Sequence, residues 1–132
     1  MNYRKFLIAA LLVMSFAVQA KDITVTRLTC EMRDGRVTTS DTPRLGWQMS
    51  SPENGTRQTA YEIEIRDVWA GKVVWNSGKV KSAQSQLVSC ADAALEKDRH
   101  YTWRVRVWDE ADTPSAWSES SDSVSYNHLT EP

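Results

Sequence analysis

Glu62 and Glu64 stand two residues apart, and Asp109, Glu110 and Asp112 crowd one short stretch, so carboxylate chemistry is the first to consider. Hydrolysis of a glycosidic bond needs two carboxyl groups facing each other across a cleft, one to protonate the leaving oxygen and one to activate water or attack the sugar. Residues two apart on an extended strand project from one face, and the Asp109 group lies in a turn-forming run. Neither arrangement opposes acid to acid, and both read as solvated surface. His100 and His128 are the only histidines, and neither has a second His or Cys at metal-ligand spacing. There is no glycine-rich phosphate loop and no serine set in a nucleophile elbow. The residues call for no catalytic group, no cofactor and no metal.

Sulfur and indole carry the remaining chemistry. Cys30 and Cys90 are the only cysteines. In an oxidising compartment they can form a disulfide. The alternative is a pair of buried thiols acting as small apolar side chains, and their separation in sequence does not choose between the two. Of six tryptophans, Trp47 and Trp103 fall in phase with apolar neighbours and are expected in the core. Trp69, Trp75, Trp108 and Trp117 are the candidates for exposure. Such rings stack on pyranose faces, although structural contacts and domain seams are the commoner use of tryptophan.

These side chains need a scaffold, and the run from His100 to Asp109 shows its kind. Tyr101, Trp103, Val105 and Val107 alternate with Thr102, Arg104, Arg106 and Trp108, the pattern of a half-buried strand. Other strands are expected over Ile23 to Cys30, Leu45 to Met49, Gln58 to Trp69, Lys72 to Asn76, Ser85 to Cys90 and Ser115 to Tyr126. Arg33-Asp34-Gly35, Asn54-Gly55, Ala70-Gly71 and the Asp109 to Pro114 run turn the chain between them. About seven short strands with turns at regular spacing describe an all-β chain, an immunoglobulin or fibronectin type III-like β-sandwich. No helical period appears beyond the first residues, and Ala91 to Lys97 can form at most one turn.

In such a sandwich the Gln58 and His100 strands are neighbours. Glu62 and Glu64 then face Arg104 and Arg106 on the outer surface, with Trp117 lying over the guanidinium groups in a stacked ladder. Opposite charges on adjoining strands contribute about 0.2–1 kcal/mol per pair, and an exposed cation on an indole face about 0.5–1 kcal/mol more.

The first twenty residues differ in character from the rest. Arg4 and Lys5 precede an apolar run from Phe6 to Val18, and Val18-Gln19-Ala20 offers small residues for a peptidase. This is an export signal with cleavage expected after Ala20; the run is short for a membrane span of about 20 residues. The organisation is therefore 1–20 signal peptide, 21–126 sandwich and 127–132 a short tail or truncation point, in a protein of the periplasm or the extracellular space. Removing Arg4 and Lys5 moves the formal charge from -1 to -3. That balance does not favour nucleic acid or an anionic membrane surface, and no membrane association is expected after cleavage. About 112 residues then remain, room for one small domain.

Six blocks in order also resemble a known family: Leu28-Thr29-Cys30-Glu31, Pro43-Arg44-Leu45-Gly46-Trp47-Gln48, Gln58-Thr59-Ala60-Tyr61-Glu62-Ile63, Trp75-Asn76-Ser77-Gly78-Lys79-Val80, Tyr101 to Asp109, and Ser115-Ala116-Trp117-Ser118. Together they are similar to the N-terminal domain of bacterial α-L-rhamnosidases. The resemblance implies an exported glycoside hydrolase that releases terminal rhamnose from glycans by an inverting, two-carboxylate mechanism. It also implies that the catalytic acids lie on a helical barrel far downstream, so none transfers to a position in this chain. This chain departs from the family pattern at Cys90-Ala91-Asp92, at Asn76, where Asp is usual, and after Glu119. The implied role is a non-catalytic accessory or scaffold domain, partnered by downstream domains of the same enzyme. A free-standing module that binds rhamnose-containing glycans or a protein is the alternative. The stop after Pro132 reads as a truncation or a fragment.

Overall fold

The computed structural model describes residues 23–127. The expected signal peptide and residues 128–132 lie outside the described residues. Strand β1 is Thr24–Cys30, β2 Val37–Thr39, β3 Arg44–Ser50, β4 Ala60–Asp67, β5 Lys72–Asn76, β6 Val88–Ser89, β7 Arg99–Trp108 and β8 Val124–Tyr126, with one 3-10 turn at Ala91–Ala93. They form a three-stranded sheet in the order β1-β3-β6 and a five-stranded sheet in the order β2-β8-β7-β4-β5. The β2/β8 pair is parallel, and the other strand pairs are antiparallel.

Alternation in β4 and β7 decides what the layers bury. Tyr61, Ile63 and Ile65 of β4 and Tyr101, Trp103, Val105 and Val107 of β7 point inward and are buried. Leu45 and Trp47 of β3 and Val25 of β1 meet them from the other sheet. Trp47 is fully buried, and its ring meets Tyr61 at 5.3 Å and Trp103 at 6.2 Å, both edge-on. An indole in that position must satisfy its N–H. Trp47 Nε1 donates to Gln58 Oε1 at 3.0 Å, while Gln58 Nε2 donates to the carbonyls of Ser82 and Gln84. One buried amide thereby ties the core ring to the 82–84 loop. Beside it, a side chain at Gly46 would meet Gln86 Oε1 and Thr29 Oγ1 at 2.8 Å, so this strand position has no room for a Cβ.

The strands expected from sequence are present with altered bounds, and an eighth appears. Strand β2 is three residues long, too short for alternation to announce it. The stretch from Ser85 to Cys90 contributes only the two residues of β6. The largest correction concerns Ser115 to Tyr126, where only Val124–Tyr126 is a strand. Residues 115–121 run beside β7 by another rule. Ser115, Ser118 and Ser121 donate their backbone N–H to the carbonyls of Val107, Val105 and Trp103. Each serine Oγ then accepts the N–H of that same β7 residue at 3.0 or 3.1 Å. Three residues of the segment thus pass for every two of β7, a bulge repeated at each step, and the hydroxyl takes the place of the missing carbonyl. Ser77 treats the far side of the pair likewise, donating to Ile63 O and accepting Ile63 N–H, both at 2.8 Å.

A serine hydroxyl that replaces a carbonyl leaves a buried amide unsatisfied when it is removed. Ser118→Ala should lower the unfolding free energy by about 1–3 kcal/mol, whereas Ser120→Ala, on an exposed side chain, should change it by less than about 0.5 kcal/mol. Urea unfolding of both variants checks this, and equal midpoints would remove the hydroxyl's role.

Candidate functional site

The β4/β7 register sets Glu62 opposite Arg106 and Glu64 opposite Arg104. Arg106 Nε donates to Glu62 Oε1 at 2.8 Å and Arg104 Nε to Glu64 Oε1 at 2.9 Å. Trp117, held between Ser115 and Ser118, lies beneath both guanidinium groups, with Arg104 Cζ 4.4 Å and Arg106 Cζ 4.8 Å from its ring centre. The stack continues past the expected members. Arg106 also sits 5.1 Å from Trp108, whose ring has Lys79 Nζ at 4.9 Å. Lys79 in turn pairs with Asp112. The order across the sheet face is therefore Lys79, Trp108, Arg106, Trp117, Arg104.

Trp108 is a correction: expected on the exposed face, it is buried. Arg106 and Lys79 cover its ring, and the Trp108/Pro114 bridge brings the Asp109 to Pro114 loop alongside. Trp75 and Trp117 are half-buried, Trp75 packing against the core from β5. Only Trp69 of the four stands well clear, at 60% exposure. Its ring leans on His100 at 4.9 Å and on the Arg99 guanidinium at 5.3 Å. Arg99 is itself anchored to Asp67, with Nε donating at 2.9 Å. The Ala70 N–H, and after it Arg99, holds the Asp67 carboxyl below the usual carboxylate range. His100 Nδ1 meets Ser125 Oγ at 2.8 Å.

Both cysteines are buried, free thiols. Cys30 lies opposite Leu45 on one side of β3. Cys90 follows Ser89, which lies opposite Arg44 on the other side. Two strand spacings amount to roughly 9–10 Å, whereas a disulfide wants Cα atoms within about 7 Å. Cys90 Sγ instead donates to Pro43 O. Burial pushes the Cys30 thiol up to about 12 and the Cys90 thiol up to about 11, so neither is a nucleophile near neutral pH.

The acids do not converge on a cleft. Glu62 and Glu64 are neutralised by arginines on their own sheet face. Asp109 is buried, with Oδ1 accepting the N–H groups of Ala111 and Thr113, and so closes its own loop. A groove of about 530 Å³ between β1 and residues 116–122 carries Glu119 and Asp122 as its acids, both exposed. Among the described residues no three His, Cys, Asp or Glu side chains cluster to hold a metal, and no helix is long and apolar enough to cross a membrane. Sequence reasoning missed Lys79, which lies in a loop, and Asp67 and Arg99, whose strand phase points inward. It also missed the pairing of Gln58 with Trp47. Gln58 stands just ahead of the apolar alternation and was the one signal available.

Two packed sheets, with an outer face locked by arginine and tryptophan, define an immunoglobulin or fibronectin type III-like β-sandwich. Residues 25–123 match the Rha78A-like N-terminal immunoglobulin domain, and the chain belongs to that family. An α-L-rhamnosidase of Streptomyces avermitilis is 44% identical over 82 residues, covering 60% of this chain and 8% of that enzyme. One from Formosa agariphila is 33% identical over 87 residues, covering 61% of this chain and 9% of the relative. The crystal structure of the Streptomyces avermitilis α-L-rhamnosidase complexed with L-rhamnose superposes with a TM-score of 0.72 at 36% identity, over 80% of this chain and 10% of that one. The α-L-rhamnosidase from Dictyoglumus thermophilum shares the fold, with a TM-score of 0.68 at 24% identity, over 86% of this chain and 13% of that one. The chain therefore spans about a tenth of the length of these relatives.

Removing the shared indole should cost more than either ion pair. Trp117→Ala is expected to lose at least about 1–2 kcal/mol, from two cation contacts of about 0.5–1 kcal/mol each plus packing. In a double-mutant cycle with Arg106→Ala the losses should be less than additive, and strict additivity in thermal or urea unfolding would dissolve the ladder. The thiols give a second check: iodoacetamide should leave the folded protein unmodified and label both cysteines in urea without reductant. Label uptake that appears only after reduction would mean a disulfide.

Proposed function

We propose that this chain is a non-catalytic scaffold domain of an exported α-L-rhamnosidase, an accessory part of a glycoside hydrolase that acts on rhamnose-bearing glycans. The observation that carries the proposal is the family match over residues 25–123, joined to the lack of opposed carboxylates among the described residues. The domain stiffens itself through the ladder and packs against the domains that follow it in such an enzyme. Export rests on the basic start, apolar run and small-residue site of the first twenty residues. A second reading, a glycan- or protein-binding module, is favoured by one observation, the exposed ring of Trp69.

One preparation tests these points together. Protein recovered from the periplasm or medium should begin at Lys21 and leave p-nitrophenyl rhamnoside intact; measurable turnover would sink the scaffold role, and an uncleaved start would sink export. Titration with rhamnose-bearing oligosaccharides should leave tryptophan fluorescence flat, and saturable quenching lost in Trp69→Ala would favour the module instead.

A further inference from the structure

The loop between β3 and β4 carries an asparagine placed for chemistry on itself. Asn54 and Gly55 are exposed and occupy the centre of a turn from Glu53 to Thr56. Ser51 Oγ accepts the Glu53 N–H at 3.2 Å, and Thr56 Oγ1 donates to Glu53 O at 3.0 Å, so the turn is held from both sides. Gly55 has φ +82, a conformation glycine adopts without steric penalty, and no heavy atom lies within 4 Å of where a Cβ would stand. Its N–H donates no hydrogen bond among the described residues.

We propose that Asn54 is a self-modification site at which the side-chain amide is lost through a succinimide, leaving aspartate or isoaspartate at the loop tip. The Gly55 backbone nitrogen gives up its proton and attacks Asn54 Cγ, forming the N–Cγ bond. The Cγ–Nδ2 bond breaks, and Nδ2 leaves as ammonia with the protons it gains. Water then adds to either ring carbonyl and opens the ring. One opening gives aspartate; the other routes the main chain through the former side chain and inserts a methylene into the backbone. Both add one negative charge beside Glu53, on a loop whose Arg57 N–H is already held by Glu110 Oε1 at 2.7 Å.

Asn76 supplies the internal contrast. Its Oδ1 accepts the Gly78 N–H at 2.7 Å, and the next backbone nitrogen, that of Ser77, donates to Ile63 O at 2.8 Å. There the nucleophile is occupied, the electrophile is held, and the chain is fixed at the end of a strand.

The experiment ages the folded chain at mildly alkaline pH and follows it by ion-exchange chromatography, peptide mass spectrometry and isoaspartyl methyltransferase labelling. The expected result is a new species with one extra negative charge, whose amide loss maps to the Asn54 peptide while the Asn76 peptide is unchanged. Its rate should rise with pH, because the attacking amide must lose a proton, and Asn54→Gln should abolish it. The proposal is overturned if Asn54 in the folded chain converts no faster than Asn76 while the urea-unfolded chain converts at Asn54. It is equally overturned if the acidic species persists in Asn54→Gln.

Discussion

The pairing of β4 with β7 is the constraint on which the rest of this structure depends. Eight consecutive residues of each strand face one another from Ala60/Trp108 to Asp67/Tyr101. Because side chains alternate, that single register settles both faces together: Tyr61, Ile63 and Ile65 join Trp103, Val105 and Val107 inside, while Glu62 and Glu64 meet Arg106 and Arg104 outside. A slip by one residue would send the carboxylates into the core and the aliphatic groups into water. Oil-like burial on one side and charge pairing on the other therefore report on the same alignment and reinforce it.

Where β8 and β5 leave off, the outer sides of that pair are finished by serine. On the β7 side a strand partner is replaced by a segment that bulges at every step, and on the β4 side Ser77 makes the same two-bond contact. The exchange of a carbonyl for a hydroxyl matters beyond hydrogen-bond satisfaction. It lets the segment carry extra residues, and one of these, Trp117, reaches over the sheet face to join both arginines. The aromatic ladder is thus a by-product of how the edge is closed.

Much of this was legible in the residues. The uninterrupted alternation from His100 to Asp109 announced β7, its buried Trp103 and its outward arginines. The Ala70-Gly71 turn gave the β4/β5 hairpin, and six ordered blocks pointed to the family. The misses have physical causes. Ser115 to Ser121 runs beside β7 through backbone N–H and serine hydroxyl contacts at every third residue, a spacing that leaves no mark in the residue pattern to set it apart from the short strand that follows. Trp108 is buried by a loop and by cations above it, neither of which leaves a mark on strand phase. Strand β2 alternates over only three residues, too few to stand out in the sequence, and the residues left open whether Cys30 and Cys90 pair, since the intervening β3 is a matter of sheet order.

The parallel pairing of β2 with β8 bears on the order in which the domain can assemble. Within its sheet β2 has β8 as its sole neighbour, and β8 is the last strand of the sandwich to leave the ribosome. The β4/β5 hairpin forms from contacts close in sequence and the β4/β7 pairing spans a longer stretch of chain, but Val37–Thr39 must wait until Val124–Tyr126 has been made. Closing so long a loop is entropically slow. Early and late ends of the domain thus meet in one final step, and until then the outer border of the larger sheet stays open during synthesis.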